Sequence, residues 1–70
     1  MKSVSGKELC KIVEFHGWDL KRIRGSHHIY SKKGVELILV IPVYGNRGLP
    51  IGTLKGIMKD AELSEEDLNI

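Results

Sequence analysis

Two of this chain's three histidines stand side by side in the tract Arg24-Gly25-Ser26-His27-His28-Ile29-Tyr30. Histidine exchanges a proton near neutral pH. Beside a phosphodiester it can take the proton from a 2′-hydroxyl or return one to the leaving oxygen, the transfers that RNA cleavage by its own 2′-hydroxyl requires. Five cations flank the pair, Lys21, Arg22, Arg24, Lys32 and Lys33, with no acidic residue among them. Such a field attracts phosphate and favours the neutral histidine that serves as a base. The turns on either side of residues 27–31 should bring most of these cations near the histidines. Neighbouring strand residues point to opposite faces, so His27 and His28 should not serve one site. Alternation groups His27 with Ile29 and His28 with Tyr30, and with Ile29 in the core, His28 becomes the exposed one. Two ordinary solvated strand histidines also fit the residue types.

The remaining reactive residues have structural readings. His16 falls at a helix end, where a cation suits the dipole. Trp18 reads as core or core rim, and Gly52 and Thr53 as the cap of a helix whose free amides could otherwise hold a phosphate. Glu8 and Glu14 fall on the polar side of the first helix as solvated charges. The single cysteine, Cys10, reads as a core-edge residue and excludes an intrachain disulfide, which suits a reducing cytoplasm. One cysteine and three histidines, two of them adjacent, do not make a zinc pattern, so neither metal nor cofactor is expected. Paired carboxylates, a nucleophile elbow and a phosphate-binding glycine loop are absent from the sequence.

The elements that must position the tract follow from spacing. Ser5-Gly6-Lys7-Glu8 is a capping box. Leu9, Ile12, Val13 and His16 form one stripe, and Gly17 supplies a left-handed stop, predicting a helix over 6–16. Trp18–Ile23, His27–Ser31 and Glu36–Val43 read as three strands joined by short turns, an antiparallel meander whose last member ends or runs along an edge at Pro42. Pro50, Gly52 and Thr53 introduce a second helix with Leu54, Ile57, Met58 and Ala61 on one side. Ser64 with Asp67 can cap a further short acidic turn over 64–69. The prediction is an α+β chain of order α-β-β-β-α, with both helices on one face of a three-stranded sheet and the other face open.

Seventy residues suit one domain over 1–70. The longest uncharged apolar run, Leu37–Tyr44, contains Pro42 and is far short of the roughly 20 residues a membrane span needs. The first residues do not form a signal peptide. A cytoplasmic protein with no membrane association is expected. The formal net charge of +2 conceals a division: residues 1–59 carry 11 basic and 4 acidic groups, whereas residues 60–70 carry 5 acidic and no basic ones. A basic body is thus followed by an acidic tail, which should stay off any phosphate path.

Over almost its whole length the chain resembles the HicA family of small toxins from HicA/HicB toxin-antitoxin pairs. The resemblance rests on an ordered set: Ser5-Gly6-Lys7-Glu8, Gly17-Trp18, Arg24 to Tyr30, Ile41-Pro42-Val43, Leu49 to Leu54, and Leu63-Ser64-Glu65-Glu66. It implies a double-stranded-RNA-binding-domain-like fold, mRNA interferase activity, and a HicB antitoxin partner that covers the active face. The family's catalytic histidine follows the Gly-Ser pair, which maps onto His27 rather than the histidine that alternation favours. The chain departs from many members by carrying Tyr44 where they have histidine and Glu62 where they have glycine. A tyrosine there can stack on a base or donate a hydrogen bond. The expected site is therefore His27 for catalysis, with Lys21, Arg22, Arg24, Ser26, His28, Lys32, Lys33, Tyr44 and Arg47 binding RNA. A non-catalytic RNA-binding module, or an adaptor for an acidic protein, are the competing expectations.

Overall fold

The computed structural model describes residues 3–69. Its elements are α1 (Gly6–Phe15), β1 (Asp19–Arg24), β2 (His27–Lys32), β3 (Val35–Pro42), α2 (Ile51–Asp60) and a closing 3-10 turn (Glu65–Asn69). The predicted order α-β-β-β-α is the observed one.

Helix α1 begins as its capping box requires. The Ser5 hydroxyl accepts from the Glu8 amide at 3.1 Å, and the Glu8 carboxylate accepts from the Ser5 amide at 3.0 Å, so two amides without intrahelical partners are satisfied reciprocally. The helix ends at Phe15 with His16 as its C-cap, one residue short of the predicted end, and Gly17 takes the left-handed conformation at φ +94°. Helix α2 starts directly after Pro50, and no side chain caps it; the capping role expected of Thr53 is not what the structure shows.

The three strands pair antiparallel in the order β1-β2-β3, with a bulge in β1 at Lys21. Directly opposed residues share a face. Tyr30, paired with Leu39, and Ile41, paired with His28, therefore lie on one side, and these three apolar residues join Leu9, Ile12 and Val13 of α1 and Leu54, Ile57 and Met58 of α2 in a single core. Both helices thus cover the same face, and Trp18 is buried with them as predicted. Helix packing centres on β3, which leaves Leu20 and Ile23 of β1 exposed at the rim.

Glu14 is not the free solvated charge that its position on α1 suggested. The Tyr30 hydroxyl donates to its carboxylate at 2.5 Å, which ties the middle of β2 to α1. Burial, helped by hydrogen bonds to Cys10 and Glu14, drives the Tyr30 hydroxyl far above its ordinary pKa, so it stays protonated and remains a donor. Burial likewise raises the Cys10 thiol, which removes the thiolate character needed for reactivity. Tyr30→Phe should cost about 1 kcal/mol, since Glu14 can turn to water once its donor is gone. A lowered urea midpoint with an unchanged slope is the signature to look for.

At the end of α2 the Leu63 amide bonds to the Met58 carbonyl at 2.8 Å and the Glu62 amide to the Lys59 carbonyl at 3.1 Å, which together make a Schellman closure. Glu62 carries it at φ +57°, a conformation that disfavours a side chain. Glu62→Gly should therefore raise stability by about 0.5 to 1 kcal/mol, and an unchanged or lower melting temperature would contradict this.

The acidic tail is anchored. Leu68 is buried in the core. Asp67 accepts from the Ser64 amide at 2.7 Å and faces the His16 ring at 3.6 Å. The Ser64 amide bond, foremost, holds the Asp67 carboxyl below its ordinary value of 3.8.

Candidate nucleic-acid interface

Strand β2 opens from the Gly25-Ser26 turn, where Gly25 at φ +59° takes a left-handed position that a β-carbon would strain. His27 is the first residue of the strand. It is exposed, and it lies between Arg24 of β1 and Pro42 of β3. The next residue on the same face, Ile29, lies between Arg22 and Val40. Arg22, Arg24, His27, Ile29, Val40 and Pro42 thus share the face that the helices leave open.

This arrangement reverses the alternation argument. Ile29 is 92% buried, as its relative exposure of 8% shows, yet it lies outside the core beneath the helices, sheltered on the open face by its neighbours. Tyr30 occupies the core instead. His28 is consequently the half-buried histidine, turned toward the helix side between Ile23 and Ile41, and His27 is the exposed one. The apolar residues Ile29 and Tyr30 are adjacent, so periodicity could not tell which lay under the helices. The core position of Tyr30 lets its hydroxyl reach Glu14.

The structure also divides the expected cations. Arg22 and Arg24 share the face of His27, and Lys21 lies beside them in the bulge. Lys32 and Lys33 do not gather at the histidine as the two-turn argument expected. They lie at the opposite end of β2, about 17 Å along a strand that rises about 3.4 Å per residue. Lys32 there extends over the Trp18 ring, with its ammonium 5.9 Å from the centroid.

At the His27 end, the Val43 amide bonds to the Ser26 carbonyl at 2.7 Å, which brings the loop after β3 against the turn before β2. Tyr44 and Arg47 project from that loop, which the Arg47 amide closes on the Tyr44 carbonyl at 3.1 Å. Both are exposed. Ser26, His27, Arg24, Tyr44 and Arg47 thereby belong to one end of the sheet. Among the described residues, no group of three or more histidine, cysteine or carboxylate side chains is arranged to hold a metal ion.

Sequence reasoning missed the apolar part of this surface. Val40 is 43% exposed and Ile38, two residues before it on the same side of β3, is 54% exposed. The signal was present in β3, where the apolar run is continuous rather than alternating, as in a strand with apolar residues on both faces.

Residues 6–63 match the family model described as "HicA toxin of bacterial toxin-antitoxin". The chain belongs to the HicA toxin family. No curated protein matches it. The HicA match spans both helices and all three strands and stops just before the closing turn. The protein is therefore a toxin of a toxin-antitoxin system, and HicA membership implies a cognate antitoxin. Among the described residues, no helix is long and apolar enough to cross a membrane.

Proposed function

We propose that this HicA toxin is an mRNA interferase: an endoribonuclease that cuts mRNA in the cytoplasm by histidine acid-base chemistry without a metal ion. The observation that carries this reading is the exposed His27 on the open face, directly opposite Arg24 and one residue pair from Arg22. His27 takes the proton from the 2′-hydroxyl, or returns one to the leaving oxygen, while the two arginines bind the phosphate and offset the charge that builds on it. Arginine suits the task because its planar fork engages two phosphate oxygens at once. Tyr44 stacks on a base, and Arg47 and Lys21 extend the backbone contacts. Lys32 and Lys33, at the far end of β2, meet a different stretch of RNA.

The same face is where a HicB-type antitoxin would bind. Exposed Ile38 and Val40, on the side of the sheet that carries the arginines, suit a protein that brings both apolar and acidic side chains. Incubating the purified toxin with RNA in EDTA tests the reading. Cleavage that survives chelation and stops on addition of the antitoxin supports it, and a requirement for added metal overturns it.

One observation favours a second reading, a module that binds RNA without cutting it. The cross-strand neighbours of His27 are an arginine and a proline, neither of which transfers a proton at neutral pH. Salt-dependent binding that leaves RNA intact would identify this alternative.

A further inference from the structure

We propose a second RNA-backbone subsite on the outer side of α1, formed by Lys7 and Lys11 with Asn46, which takes a phosphate of the same strand bound at His27. The proposal rests on the RNA reading of the open face and extends it around the end of the sheet.

Lys7, Lys11 and Asn46, with Ser5 and Glu8, line a cleft of about 420 Å³ between α1 and the loop after β3. The two lysines are four residues apart, so they project from one side of the helix, and both are exposed. Two like charges at that spacing disfavour a helix, and an anion held between them removes the penalty. Of the other lining residues, the Ser5 hydroxyl and the Glu8 carboxylate take part in the reciprocal cap of α1. The lysine ammoniums and the Asn46 amide are the donors the cleft offers a ligand, and the Glu8 carboxylate is the one acidic group among its lining residues. The donor set suits a phosphate with a base edge beside it.

The loop makes the path continuous. It leaves the His27 end of the sheet where the Val43 amide holds the Ser26 carbonyl, and it reaches the start of α1 where the Leu49 amide holds the Val4 carbonyl at 2.8 Å and Gly48 bridges to Ser5. Tyr44, Asn46 and Arg47 lie along this span. A single strand leaving His27 can follow it from a stacking ring, past an arginine, to the lysine pair. The acidic tail packs against α1 too, with Leu68 in the core and Asp67 facing His16, which caps the end of the helix opposite Lys7.

The test uses the full chain and single-stranded RNA that is 2′-O-methylated throughout, so that binding is read without cleavage. Two lengths are compared, about 4 and about 16 nucleotides, which bracket the site sizes of small single-strand binders. Lys7→Gln with Lys11→Gln should weaken the longer RNA severalfold and lower its salt slope by about 0.7, the loss of one phosphate contact on a single strand. The short RNA should bind as before, and Lys7→Arg with Lys11→Arg should restore the longer one. Asn46→Ala should weaken the longer RNA without changing the slope. Equal losses for both lengths, no loss for either, or an effect confined to antitoxin binding would overturn the subsite. Cleavage of ordinary RNA is scored separately. A toxin that cleaves but shows no length-dependent loss refutes the subsite alone. One that never cleaves but shows that loss refutes the catalytic reading alone.

Discussion

His27→Ala is expected to reduce RNA cleavage by about 10²- to 10⁴-fold, the usual contribution of a positioned proton-transfer group, while leaving RNA binding and folding largely intact. The side chain is exposed at the start of β2, so truncation opens no core cavity, and surface changes of this kind generally shift stability by no more than about 0.5 kcal/mol. Arg24 and Arg22 remain in place to hold phosphate. His28→Ala provides the contrast. That ring is half-buried on the helix side between Ile23 and Ile41, so its loss should lower the melting temperature yet spare the rate per folded molecule. A cleavage rate that falls with His28 and survives loss of His27 would place the chemistry on the wrong face of the sheet for this mechanism. Arg24→Lys should have an intermediate effect, because it keeps the charge and loses the two-pronged contact.

Gly6→Ala should have the largest effect on folding. In a helix interior, replacing glycine with alanine normally stabilises by about 1 kcal/mol. At Gly6 a β-carbon would stand 1.9 Å from the Pro42 carbonyl oxygen, 2.9 Å from its carbon and 3.1 Å from the Val43 α-carbon. These are backbone atoms at the end of β3, in Pro42 opposite His27 and in the residue after it, and they can yield only if α1 moves off the sheet. Overpacking typically costs about 1 to 3 kcal/mol and sometimes more, whereas a core of this size supplies about 3 to 5 kcal/mol in all. A large unfolded fraction at ambient temperature is expected by circular dichroism. Gly56→Ala is the control, since nothing lies within 4 Å of the β-carbon it would add in the middle of α2, and it should stabilise by about 0.5 to 1 kcal/mol. If Gly6→Ala melted like the wild type, the close docking of α1 on Pro42 would be wrong.

These variants separate two kinds of glycine that look alike in the chain. Gly17 and Gly25 mark turns by their left-handed conformations, which sequence reasoning anticipated from their neighbours. Gly6 opens a helix, and its need for a missing side chain comes from a strand more than thirty residues away. Glu62 is the converse case, a residue held left-handed without being glycine because the Met58 and Lys59 carbonyls close the end of α2 on it.

Local patterns are enough to read the elements and their order. The capping box at Ser5, the stripe through Leu9 and Val13, and the turns at Gly25 and Gly34 are set by interactions within a few residues, so they are present in the sequence itself. The basic body and acidic tail are legible for the same reason. What only the tertiary structure decided was which face each residue meets. Ile29 and Tyr30 have nearly equal claims to the core by composition. Pairing of Tyr30 with Leu39 and of His28 with Ile41 puts Tyr30 beneath the helices, and leaves His27 on the other face. The separation of Lys32 and Lys33 from His27 is equally a matter of strand rise, since two turns that are close in sequence stand at opposite ends of one strand. The loop that joins the His27 end of the sheet to the lysines of α1 exists only once Val43 has found Ser26 and Leu49 has found Val4. Sequence determined the kind of chemistry; long-range pairing determined where on the molecule its groups meet.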